Sequence, residues 1–245
     1  MPDETYGVLI VGGGVAGRSA GVFTARHGFD TVVLDGGGSI LRRNAALENY
    51  PGFPAGVDAR LLLEMMREQG ERAGCEYRET EATGVEATDD GFVTETADGD
   101  RYRSRYVVAA TKNATDYLEP LDVELRERGK TFVETDEKGR TTVEGLYAAG
   151  RLAGKPHQAV VAAGHGAEVA VTLLEDDDRP FYHDWVAPEG YFTGRGREVP
   201  PGCEEIDDEE RERREEESLA AMREHLGEPH PDEPEMHPSV ESDDE

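Results

Sequence analysis

The apolar positions of the first 35 residues change period twice. Tyr6–Val11 is a short apolar run with β-branched residues, as expected of a strand buried on both faces. Ala16, Ala20, Phe23 and His27 then share one face of a helix, and Gly28 stands where that helix would stop. Thr31–Leu34 is a second strand ending at Asp35. A strand, a helix and a strand in this order predict a βαβ unit with parallel strands. Further on, Leu62, Met65, Met66 and Gln69 lie on one side of a helix predicted over 60–73, with Asp58 as N-cap and Gly74 as stop. Asp90-Gly91 and Asp98-Gly99 read as hairpin turns and predict an antiparallel meander over 82–104, after which 106–110 returns to the parallel sheet. Residues 112–130 read as a linker, 131–143 as a hairpin around Lys138-Gly139, Leu146–Ala149 as a last buried strand, and 157–174 as a closing helix.

These elements predict an α/β fold: a Rossmann-like dinucleotide-binding domain over residues 1–175, with a parallel sheet flanked by helices and a β-meander. An irregular C-terminal extension follows. Residues 176–203 form an aromatic strap carrying Phe181, Tyr182, Trp185, Tyr191 and Phe192. Residues 204–245 form an acidic helix over 209–226, with a thin apolar stripe at Leu219, Met222 and Leu226, and then a proline-rich tail expected to be disordered. The strap could cover bare surface or form the interface of a homodimer.

The chemistry centres on Gly12-Gly13-Gly14-Val15-Ala16-Gly17, placed between the first strand and the first helix. A GxGxxG pattern alone is weak, but here the strand before it, the helix after it and the acid ending the next strand are all present. Gly12 makes the tight turn, Gly14 admits a pyrophosphate without a Cβ in the way, and Gly17 lets the helix pack on the strand. The helix N-terminus offers free N–H groups and a positive dipole end to the phosphates. Asp35, with Gly36 beside it, can accept hydrogen bonds from ribose hydroxyls.

Charge narrows the partners. Acidic residues number 54 against 26 basic ones, a formal net charge of −28, and only four of the basic residues are lysines. Such a field repels nucleic acid and anionic lipid, so neither is an expected partner. Residues 204–245 carry 19 acids and four arginines, and the rest of the chain holds about half the excess. That spread resembles proteins of salt-loving archaea, where a screening length of about 3 Å in molar salt quiets carboxylate repulsion. No apolar run approaches the roughly 20 residues of a membrane span. The N-terminus runs Met-Pro-Asp-Glu-Thr-Tyr straight into a strand, so a cytoplasmic protein is expected. The two cysteines, Cys75 and Cys203, form no CxxC pair, and the histidines show no metal-ligand spacing, so no metal is expected.

The order of further motifs resembles the thioredoxin reductase-like flavoproteins. It runs from 7–35 through Glu48-Asn49-Tyr50-Pro51-Gly52-Phe53, Ala109-Ala110-Thr111 and Gly145-Leu146-Tyr147-Ala148-Ala149-Gly150 to His157-Gln158-Ala159-Val160-Val161-Ala162-Ala163-Gly164. The resemblance covers about residues 5–175 with a gap, and it implies FAD as cofactor, with NAD(P)H as an external electron donor. It places Asn49 beside the flavin, Gln158 and Ala159 at the flavin's pyrimidine edge, Val85 against adenine, and Ala110 and Thr111 along the cofactor. It also makes His157, before the last helix, a candidate proton donor, with a solvent-facing histidine as the plain alternative.

Three departures qualify what the resemblance implies. Only residues 112–144 stand where the family inserts an NADPH-binding domain, too few for a second doubly wound domain. The CxxC of that domain is absent with it. After Gly150 the family has an aspartate that binds the ribityl chain, whereas this chain has Arg151, which cannot accept a hydrogen bond but can pair with a phosphate. The expected function is an FAD-dependent oxidoreductase exchanging electrons with a small-molecule or protein redox partner. The alternative is a non-catalytic module that holds FAD or another adenine dinucleotide and engages a partner protein.

Overall fold

A computed structural model describes residues 4–241 of the chain. The chain divides into two compact units, one of residues 174–231 and one of the remainder.

In the larger unit, β1 (Glu4–Val11), α1 (Val15–Arg26) and β2 (Thr31–Leu34) form the predicted βαβ start. β1 and β2 pair in parallel from Val8 with Thr31 to Val11 with Leu34. Gly28 takes φ +77°, the left-handed turn that ends α1 and that a side chain would resist. α2 (Ala59–Arg72) is capped by Asp58, whose carboxylate accepts from the N–H groups of Arg60 and Leu61. It leads into β3 (Glu76–Arg78), which adds in parallel to β2.

The meander comprises β4 (Ala82–Thr88), β5 (Gly91–Thr96) and β6 (Arg101–Ala109), and the sheet runs β3-β2-β1-β6-β5-β4. The sequence suggests two strands, one ending the meander near 104 and one starting at 106; the structure has one. β6 pairs antiparallel with β5 through Arg101–Ser104 and parallel with β9 (Leu146–Ala148) through 107–109, while β1 lies along its other edge. Burial along β6 follows this double duty. Residues 101–105 alternate exposed and buried, and 106–109 are all buried, as expected where a strand passes from a one-sided to a two-sided sheet.

The sheet face carrying Leu9, Val11, Val32, Leu34, Val107 and Leu146 is packed with Tyr117, Leu118 and Leu121. Those three belong to a 3-10 turn over Asp116–Leu121, inside the stretch read as a linker. Three apolar residues there cover the sheet, so 112–130 is in part core. The expected hairpin about Lys138-Gly139 is also redrawn. β8 (Thr131–Val133) pairs backwards with β7 (Leu125–Glu127), and Asp136 instead ties its own turn by accepting from the N–H groups of Lys138 and Arg140.

The opposite face takes α1. A Cβ on Gly21 would stand 3.2 Å from Cys75 Sγ and 3.3 Å from Val33. α3 (Ala159–Asp176) crosses the start of α1 so closely that a Cβ at Gly166 would strike the Ala16 carbonyl.

The smaller unit contains two parallel strands, β10 (Trp185–Pro188) and β11 (Cys203–Ile206), and a charged helix α4 (Asp208–Leu226). Trp185, Tyr191 and Phe192 pack edge to face. Burial raises the pKa of the Glu205 carboxyl, but the N–H groups of Gly190, Phe192 and Thr193 and the Thr193 hydroxyl all donate to it and hold it at about 2. No helix among the described residues is long and apolar enough to cross a membrane. No three metal-ligating side chains converge among them.

Candidate functional site

The C-terminal ends of β1, β2 and β6 open onto a cavity of about 880 Å3, where ligands sit in doubly wound sheets and of a size that admits one. Its floor is the glycine loop, with Gly12, Gly13, Gly14, Val15 and Ala16 on the wall. Gly12, at φ +115°, stands so near the Ala110 carbonyl that a Cβ would lie 2.7 Å from the oxygen. Gly14 caps α1 without a side-chain bond, leaving the first-turn N–H groups to a ligand. Gly17 is not on the wall. A Cβ there would run into the Gly12 carbonyl, so its part is the predicted one of letting helix and strand meet.

Asp35 and Gly36 line the same cavity. The Asp35 side chain lies against Gly13, where any Cβ would collide with the carboxylate. Its Oδ1 accepts from the Gly37 N–H at 2.9 Å and its Oδ2 pairs with Arg18 Nη2 at 2.8 Å. Arg18 is 3% exposed and also donates to the Gly13 carbonyl, at 2.6 Å, and to the Leu63 carbonyl. Sequence reasoning missed this residue, whose side chain reaches the glycine loop from α1. A carboxylate oxygen accepts two bonds, so both Asp35 oxygens retain capacity for ribose hydroxyls.

Asn49, Thr111, Arg151, His157, Gln158 and Ala159 also line the wall, with Ala110. Asn49 Nδ2 donates to Gln158 Oε1 at 2.9 Å. Gln158 precedes α3, and its carbonyl accepts from the Ala162 N–H, so the amide bridge stands at the N-terminus of that helix. Thr111 Oγ1 lies 3.0 Å from the Tyr117 hydroxyl. Arg151 stacks over Phe132, its guanidinium carbon 5.6 Å from the ring centroid. His157 is exposed at the cavity rim, and burial of its surroundings, then Arg151 and Lys112, holds its pKa below the ordinary histidine value.

Besides Gly17, two expected positions fall elsewhere. Val85 is fully buried in the sheet core, and Thr80, Glu81 and Ala82 form the wall beside Asp35 and Gly36 instead. β4 turns its Val85 side chain inward, and Ala82 at its start, with Thr80 and Glu81 just before the strand, reaches the cavity. Gly150 is off the wall, but its backbone is fixed: at φ +63° its N–H donates to the buried His165 Nδ1 at 2.9 Å. Burial and Lys155 lower the pKa of His165 to about 4, so it stays neutral and accepts that bond.

The wall also includes Glu235, Met236 and His237, in the tail expected to be disordered. The Glu235 N–H donates to the Arg42 carbonyl at 3.1 Å, and its carboxylate lies 4.0 Å from Arg42 Nε. Both residues belong to the larger unit.

Residues 56–166 match the family described as pyridine nucleotide-disulphide oxidoreductase. The thioredoxin reductase of Aquifex aeolicus is 34% identical over 116 residues, covering 45% of this chain and 35% of that protein. The thioredoxin reductase of Rickettsia felis is 26% identical over 178 residues, 71% of this chain and 57% of that protein. The chain thus spans about a third of the length of the first curated relatives it matches. Among solved structures, a thioredoxin reductase from Gloeobacter violaceus superposes with a TM-score of 0.65 at 20% identity, covering 73% of this chain and 98% of that one. The chain has the fold of the thioredoxin reductases and is similar over residues 56–166 to the pyridine nucleotide-disulphide oxidoreductases.

Proposed function

We propose that this chain is an FAD-dependent oxidoreductase whose donor binds from solution and whose acceptor is a small molecule or a protein. The observation that carries this reading is the Asn49–Gln158 bridge, on the wall of the same cavity as the glycine cradle. The cradle fits a diphosphate because no Cβ stands in it and the first turn of α1 is uncapped. Asp35 fits a ribose, and the Asn49 and Gln158 amides offer donors and acceptors to a polar ring edge.

Bound FAD would supply hydride and electron transfer. Around it, Gly12–Ala16 would hold the diphosphate, Asp35 the adenosine ribose, and Asn49 and Gln158 the ring. The N-terminus of α3 would stabilise negative charge there, and His157 could hold a proton at the cavity rim. The chain offers no dithiol for a disulfide relay. Burial pushes the Cys75 thiol up to about 12, which leaves it unreactive at neutral pH. Reducing equivalents would therefore enter from a pyridine nucleotide in solution and leave directly to the acceptor. The dense carboxylate surface suits a protein that works in concentrated salt.

Photoreduction of the flavin-loaded protein, followed by challenge with NAD(P)+, quinones and disulfide proteins, tests the reading. Reoxidation by at least one class faster than by buffer alone is expected. Reoxidation by none would reduce the chain to a cofactor-holding module.

A further inference from the structure

The chain has 54 acidic and 26 basic residues, so carboxylates outnumber cations about two to one. Several arginines elsewhere are held by carboxylates, as Arg67 is by Glu71 and Glu79, and Arg214 by Glu204 and Glu210. Arg43, Lys112, Arg151 and His157 share the wall of the cavity, and among the described residues no carboxylate pairs with any of them. The acids on that wall stand apart in role. Asp35 is paired with Arg18, Glu235 faces Arg42, and Glu81 lies under Gly36.

Arg43 and Arg151 stand close enough to Lys112 to oppose its charge. Burial, then Lys130, Arg43 and Arg151, holds the Lys112 ammonium below its ordinary pKa, and Arg151 and Lys112 act alike on His157. Lys112 is also one of two described non-glycine residues with positive φ, at +67°, a conformation that costs free energy and tends to persist where function needs it. Arg43 Nε is buried without a hydrogen-bond partner. Crowded like charges and an orphaned donor are each unfavourable alone, and a bound anion would offset both.

We propose that Arg43, Lys112, Arg151 and His157 form a second anion site, which takes the phosphate groups of a small ligand bound beside the dinucleotide. This rests on the proposed placement of the FAD diphosphate in the glycine cradle, which leaves Arg43, Lys112, Arg151 and the His157 imidazole to another ligand. A pyridine dinucleotide arriving from solution carries that chemistry, and so does a smaller phosphorylated compound.

The test is titration of flavin-loaded, full-length protein with inorganic pyrophosphate at constant ionic strength, followed by flavin fluorescence and heat of binding. Saturable binding is expected, weakened at least about tenfold by Lys112→Ala or Arg151→Ala and much less by Arg151→Lys, with flavin stoichiometry retained. Displacement of pyrophosphate by NADPH but not by reduced nicotinamide riboside would assign the site to the dinucleotide. Failure of NADPH to displace it would assign the site to a smaller phosphorylated ligand. Absence of pyrophosphate binding to the loaded protein would overturn the proposal. So would parallel loss of flavin and pyrophosphate in the variants, because the cations would then serve the cofactor's own diphosphate. A protein that takes up no flavin yet binds pyrophosphate through Lys112 and Arg151 would overturn the FAD reading and leave the anion site standing.

Discussion

Asn49 Nδ2 donates to Gln158 Oε1 at 2.9 Å, joining positions 109 residues apart on the cavity wall. If the pair acts as a unit toward FAD, Asn49→Ala and Gln158→Ala should each weaken FAD affinity by about 0.5–1.5 kcal/mol. The double variant should then lose little more than the worse single one, because removing one partner already breaks the bridge. Binding titrations over the four proteins give the coupling. Strictly additive losses would mean that the amides act independently.

Arg18 and Asp35 bury opposite charges beneath the glycine loop. Arg18→Met should destabilise the fold by about 3–5 kcal/mol, because it leaves a buried carboxylate without its cation. Adding Asp35→Asn should restore part of that loss. Denaturant unfolding at fixed salt measures both, and a cost under about 1 kcal/mol for the single variant would show that Arg18 does not compensate Asp35.

His165 gives the protein an acid limb of its own. Its folded pKa, about 4, lies below the value of roughly 6.5 for an unfolded histidine. Between those values the unfolded chain binds a proton that the folded chain does not, so stability falls as pH drops through that window. His165→Gln keeps an acceptor for the Gly150 N–H and lacks the titration. Subtracting its melting temperatures from those of the parent across pH 4–7 should give a difference that declines toward acid and is flat near neutrality. A flat difference throughout would show that His165 is not held neutral by burial.

Glu235–His237 on the cavity wall predicts a kinetic effect rather than a folding one. Ending the chain after Pro231 should leave the fold intact and speed FAD dissociation several-fold, as followed by the recovery of free-flavin fluorescence. An unchanged dissociation rate would mean that this segment lies at the cavity without restraining its contents.

How far the sequence foretold these relations depends on the range over which each is encoded. The βαβ start is written locally, in the period of Tyr6–Leu34 and the required glycines, and it matches the structure nearly residue for residue. The double pairing of β6 was not legible, because a single strand carries the alternating pattern of one environment and the continuous apolar pattern of another. Tyr117, Leu118 and Leu121 were hidden by the polar residues around them, although they fill the core above the sheet. Val85 is set against adenine by resemblance alone, and its side chain is buried in the core. Arg18 and the Lys112 cluster depend on which side chains meet in space, and no spacing rule in one sequence records that.

The most direct test of the central claim is the identity of the cofactor bound by full-length protein, purified in concentrated salt after incubation with equal FAD and NAD. Release by denaturation and chromatographic identification, together with the absorbance of the native protein near about 450 nm, gives the answer. The account predicts roughly one FAD per chain, with Gly14→Val abolishing uptake by placing a side chain in the diphosphate cradle. Preferential retention of NAD, or no dinucleotide at all, would contradict it.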